Sequence, residues 1–132
     1  MSAFAPIAHV ALTVRDLSVS APWYQALIGA EPMLDEHTDD GFRHVVYPVG
    51  GGMLLGLHEH DGAVPEQDFS EHRVGLDHVG FGCDSRAELE GWVNRLNELG
   101  VTHGGIVDAP YGSGLSFRDP DGIALEFFAP PA

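Results

Sequence analysis

Four residues of this chain combine reactive side chains with positions that a fold must account for. His9 stands in IAHVALT, residues 7–13, and His78 stands in LDHVGFG, residues 76–82. In both stretches the His is followed by Val, a small residue and a large apolar one. A histidine on a strand can be a hydrogen-bonded packing residue, a general acid or base, or a metal ligand. Glu126 interrupts the apolar run ALEFF, residues 124–128. A carboxylate in such a run is costly to bury unless it is paired or metal-bound. His58, in GMLLGLHEH, shares a strand face with Gly56 and is a candidate for proton transfer or ligand contact.

The elements that carry these residues are written twice. At an offset of 69 residues Ile7 meets Leu76, His9 meets His78, Val10 meets Val79, Trp23 meets Trp92 and Leu27 meets Leu96. One offset shared by a His, a Trp and a Leu identifies two diverged copies of a module of about 60 residues. Each copy opens on a short period-two strand, HVALTV or HVGFGC. A helix follows in each. The first starts near Asp16 or Ser18 and runs through SAPWYQALIG, with Pro22 expected in its first turn. The second starts at Asp84 or Ser85 and buries a face of Leu89, Trp92, Val93, Leu96 and Leu99 before Gly100. Three strands close each copy, separated by TDDG and GGG in the first and by YGSG and DPDG in the second. The expected fold class is α+β, with two tandem βαβββ modules. The whole chain, 1–132, is read as one domain: module one about 5–62, a linker about 63–74, and module two about 75–130.

Composition excludes several function classes. There are 20 acidic residues against six basic ones, all Arg, for a formal charge of −14. Nucleic-acid binding needs a basic face to displace counterions, so no nucleic-acid partner is expected. The absence of Lys removes Schiff-base chemistry. No stretch is long and apolar enough for a membrane span. The opening MSAFAPIAHV lacks a basic region followed by an apolar stretch, so no signal peptide and a cytoplasmic location are expected. The single Cys83 allows no internal disulfide.

The duplicated βαβββ pattern, with HVALTVRDL, GLDHVGF and FRDPDGIALEFF, resembles the vicinal oxygen chelate superfamily. That superfamily holds glyoxalases, bleomycin-resistance proteins, thiol transferases, epimerases and extradiol dioxygenases. The resemblance covers essentially the whole chain. It implies an open barrel-like cavity built from the two modules around one divalent metal ion (Fe, Mn, Zn or Ni). It assigns His9, His78 and Glu126 as metal ligands, with Glu126 also counted catalytic. The fourth ligand position of the superfamily falls on Gly56, where glyoxalase I and the epimerases keep Glu or Gln.

Two His and one carboxylate form a facial triad with coordination positions left open for substrate. Strand parity agrees with this set. Ile7, His9, Ala11 and Thr13 share one face, as do His78, Gly80 and Gly82, and as do Ala124, Glu126 and Phe128. His58 then reads as a general base, a displaced ligand or a substrate contact. Tyr111 and Ser113, in a loop that reaches the cavity mouth in relatives, read as substrate-binding residues. Arg118 reads as half of a structural ion pair, and Asp119 to Gly122 as the turn that delivers Glu126. The implied function is a metal-dependent enzyme acting on a small oxygen-rich substrate, of lyase, isomerase, thiol-transferase or dioxygenase type. The alternative is a metal-free drug- or small-molecule-binding protein of the bleomycin-resistance type. A homodimer is expected, with His9 facing His78 and Glu126 of the second copy.

Overall fold

The structure, a computed structural model, describes residues 3–62 and 67–132. The chain divides into two compact units, Met1–Glu66 and Gln67–Ala132. The first holds β1 (His9–Thr13), α1 (Leu17–Ile28), β2 (Leu34–His37), β3 (Phe42–Pro48) and β4 (Leu54–His60). The second holds β5 (Val79–Gly82), α2 (Arg86–Glu98), β6 (His103–Ala109), β7 (Gly112–Arg118) and β8 (Ala124–Ala129). Each is therefore a βαβββ module in an α+β fold. The sheet orders are β1-β4-β3-β2 and β5-β8-β7-β6. In each, the first and last strands pair in parallel and the remaining pairs are antiparallel. Part of the expected linker, residues 63–66, lies outside the described residues; residues 67–78 form no helix or strand.

The helices begin and end where polar residues satisfy free backbone groups. Asp16 caps α1 by accepting from the Ser18 amide at 2.9 Å, and Glu59 of β4 accepts from the Leu17 amide at 2.8 Å. Gly29, at φ 73°, ends the helix in the left-handed region. Ser85 caps α2 through the Glu88 amide. Pro22 departs from expectation, since it sits in the second turn of α1 rather than the first. The helix tolerates it because the residue four back, Ser18, is exposed, so water can take the carbonyl that proline leaves without a donor.

Each sheet has one face under its helix and one open face. In the first unit Leu12, Val14, Val45, Tyr47, Leu55 and Leu57 are buried together with Tyr24 and Leu27 of α1. In the second, Leu115, Phe117, Leu125 and Phe127 are buried together with Leu89 and Leu96 of α2. Trp92 stacks on Phe127 with ring centroids 4.2 Å apart, and Phe117 lies 5.4 Å from the same ring. Alternation along the strands then sends His9, His58 and Glu126 to the open faces.

Candidate functional site

Glu126 sits at the centre of the second sheet's open face. Across β5 it pairs with Gly80, and across β7 with Ser116. A Cβ on Gly80 would meet nothing within 4 Å, and one on Gly114 would come 3.6 Å from the Glu126 carboxyl carbon. Glycine on both flanking strands thus leaves the carboxylate room for a ligand. His78, one residue before β5, brings Nε2 to 3.9 Å from Glu126 Oε2. Its Nδ1 lies 2.6 Å from Asp77 Oδ1. A carboxylate oxygen accepts from an imidazole N–H, so in this contact Nδ1 donates and Nε2 is the nitrogen presented toward Glu126.

These groups line a pocket of about 490 Å³ with Ser116, His103 and Arg118. Arg118 makes a two-pronged pair with Glu71, at 3.0 and 3.1 Å, and donates to the Gly122 carbonyl at 2.9 Å. That hydrogen-bonded pair holds the Glu71 carboxyl at about 2, well below the usual carboxylate range. Arg118 thus has the ion-pair role expected for it. Asp119 Oδ1 accepts from the amides of Asp121 and Ile123, both at 2.8 Å, which fixes the turn leading into β8.

The first unit repeats the layout with different side chains. Ala11 and Gly80 each lie two residues past the first-strand histidine. Ala11 pairs with Gly56 where Gly80 pairs with Glu126, so Gly56 occupies the position equivalent to Glu126. A Cβ there would lie 3.6 Å from His58 Nε2 and 3.7 Å from its Cδ2. The His58 ring therefore leans back over the place a side chain at 56 would fill. Phe42 stacks on it at 4.7 Å, and His44 meets it edge-on at 5.3 Å. His44 is itself 3.1 Å from Glu36. Burial, then the neighbouring His44, His60 and His9, push the His58 imidazole below its ordinary pKa. His9 is exposed on the same open face.

The two expected substrate contacts in the β6–β7 region lie apart. Tyr111 is in the turn, exposed, and stacks at 6.4 Å on Phe128 of the open face. Ser113 is not in a loop: it is the second residue of β7, on the helix face opposite Glu126. Its hydroxyl donates to Asp108 at 2.6 Å, and Asp108 is held in a two-pronged pair with Arg86 of α2. The expectation placed it in the YGSG turn, but the backbone enters β7 already at Gly112, and parity then turns the serine inward. Sequence reasoning missed Asp77, Glu71 and Ser116. Only Asp77 carried a signal, as an acid adjoining His78.

His78 and Glu126 offer one imidazole nitrogen and one carboxylate oxygen side by side, a donor set suited to Fe, Mn, Zn or Ni. Among the described residues no three His, Cys, Asp or Glu side chains gather around one point. The pair thus fits as part of a metal centre that needs a further donor.

Residues 6–127 match the family described as the Glyoxalase/Bleomycin resistance protein/Dioxygenase superfamily. A glyoxylase/bleomycin resistance protein/dioxygenase domain from Frankia sp. EAN1pec is 33% identical and superimposes with a TM-score of 0.86, covering 98% of this chain and 100% of that one. The metallothiol transferase FosB of Staphylococcus haemolyticus is 27% identical over 122 residues, 91% of this chain and 80% of that protein. The putative ring-cleaving dioxygenase MhqA of Bacillus subtilis (strain 168) is 32% identical over 79 residues, 58% of this chain. That match spans only 24% of MhqA.

Proposed function

Because this chain belongs to the Glyoxalase/Bleomycin resistance protein/Dioxygenase superfamily, we propose that it is an enzyme that uses one divalent metal ion on a small, oxygen-rich substrate. His78, Glu126 and His9 hold the ion. The observation that carries the proposal is the approach of His78 Nε2 to Glu126 at 3.9 Å on an open, glycine-flanked sheet face. When bound, the metal supplies Lewis-acid stabilisation of charge developing on a chelated oxygen. His58 is the acid–base group. Its Nε2, lying over Gly56, takes or returns the proton, and Phe42 and His44 fix the ring. Tyr111 borders the ligand from its exposed turn. The remaining ligand, His9, comes from a second copy in a homodimer, and the enzyme works in the cytoplasm. Thiol transfer and ring cleavage are the candidate reaction types, suggested by the similarity to FosB and MhqA.

Metal content of untagged protein tests this reading, for wild type and for His78→Ala. About one Fe, Mn, Zn or Ni per chain is expected, lost in the variant. A wild type that takes up no divalent ion after incubation overturns it. That result favours the second reading, a binding module for a cationic small molecule. The charge of −14, and the Asp77 and Glu126 carboxylates lining the pocket, suit such a ligand.

A further inference from the structure

We infer that Asp77 is a positioning residue that makes His78 a competent metal ligand. The inference rests on the metal-dependent reading above. Its basis is the division of labour within one imidazole. Nδ1 is 2.6 Å from Asp77 Oδ1, while Nε2 points to Glu126 Oε2 at 3.9 Å. A neutral imidazole carries one proton, and a nitrogen that carries it has no lone pair for a metal. By accepting from Nδ1, the carboxylate keeps that proton off Nε2. It also restrains rotation of the ring, whose side chain is 44% exposed. Outer carboxylates hydrogen-bonded in this way orient ligating histidines.

The geometry makes Asp77 specific among the pocket's acids. Glu71 is occupied by Arg118, and Glu126 faces the opposite nitrogen. Asp77 is itself 71% exposed and adjoins no secondary structure, so its side chain has no packing role that would explain its place. The two copies also differ here: the residue before His9 is Ala8. The second-module histidine has an orienting carboxylate next to it in the chain, and the first-module histidine does not.

The test is zinc or manganese affinity by titration calorimetry at one fixed pH, for wild type, Asp77→Ala and Asp77→Asn. Two-dimensional ¹H–¹⁵N spectra of the His78 ring in the metal-free protein accompany it. Asp77→Ala is expected to weaken metal binding about 10–100-fold and to move the ring proton from Nδ1 toward Nε2. Asp77→Asn, which keeps an acceptor oxygen but loses the charge, is expected to fall between. Metal affinity unchanged in Asp77→Ala overturns the inference, whatever the ring spectra show. A wild type that binds none of Fe(II), Mn, Zn and Ni overturns the metal-dependent reading itself, and this inference with it. The two failures are distinct because only the second appears in the wild type.

Discussion

Phe127 and Phe128 are adjacent in β8 and point to opposite faces, which makes them a direct assay of where Glu126 points. Phe127 is 5% exposed, and its ring touches Trp92 at 4.2 Å, Phe117 at 5.4 Å and Phe81 at 5.6 Å. Phe127→Ala removes that ring from a closed cluster and leaves a cavity, at a cost of about 3–5 kcal/mol. Against a total of about 5–15 kcal/mol, that is a large fraction. At roughly 3–4 °C per kcal/mol for a domain of this size, Tm should fall by about 10–20 °C. Phe128 is half-buried on the open face, with Tyr111 beside it at 6.4 Å. Phe128→Ala opens space to solvent rather than a void, and should cost about 1–2 kcal/mol. Urea denaturation of both variants reads the difference. Equal costs, or a larger one for Phe128, would refute the register. A slip of one residue exchanges the two faces and would put Glu126 in the core, away from His78.

Arg118→Gln should destabilise the protein more at neutral pH than in acid, where only the pH-independent bond to the Gly122 carbonyl is still lost. The Glu71 carboxyl lies at about 2 in the folded chain, against an ordinary 4.5. Its folded value is depressed, so its contribution is full above the ordinary value and is lost as pH falls through that window. The gap in urea midpoint between wild type and variant should therefore narrow on acidification; a gap of the same size at pH 7 and pH 2 contradicts the pairing. Burial pushes the Cys83 thiol up to about 11, so a thiol reagent at pH 8 should label it only as fast as the chain unfolds. Prompt, stoichiometric labelling of native protein would show the opposite. If sites are shared across a dimer, mixing His9→Ala with Glu126→Ala and allowing subunit exchange should restore up to one intact metal site per heterodimer. Metal content that stays at the level of the separate variants after exchange counts against shared sites.

The module pattern was legible because the sequence repeats it. The shared offset of His9 with His78, Trp23 with Trp92 and Leu27 with Leu96 marked the copies, and period-two alternation gave each strand its inward face. The caps at Asp16 and Ser85 were legible for a local reason: their side chains bond amides two and three residues away. Partners distant in the chain were not. Arg118 reads as half of an ion pair from its own surroundings, yet its mate Glu71 lies 47 residues earlier in a segment with no periodic signal. Ser113 was misplaced because Gly and Ser suit a turn and a strand edge equally well. The turn proved only two residues long, Pro110 and Tyr111, and that inverted the serine's direction.

The two modules also show why the head groups on the open faces are not interchangeable. A polar side chain leaning across a sheet needs a neighbour without bulk. In the second unit Gly114, diagonal to Glu126, gives the carboxylate that space. In the first, the glycine stands at the position equivalent to Glu126, and the His58 ring occupies the space above it. A Cβ at position 56 would already be in van der Waals contact with that imidazole, which stacks on Phe42, so the rest of a glutamate side chain there would have to pass beside the ring. A long side chain at position 56 and the His58 ring thus compete for one space. The same register thus sets a carboxylate on the open face of the second sheet and, two residues past the equivalent position, an imidazole on that of the first.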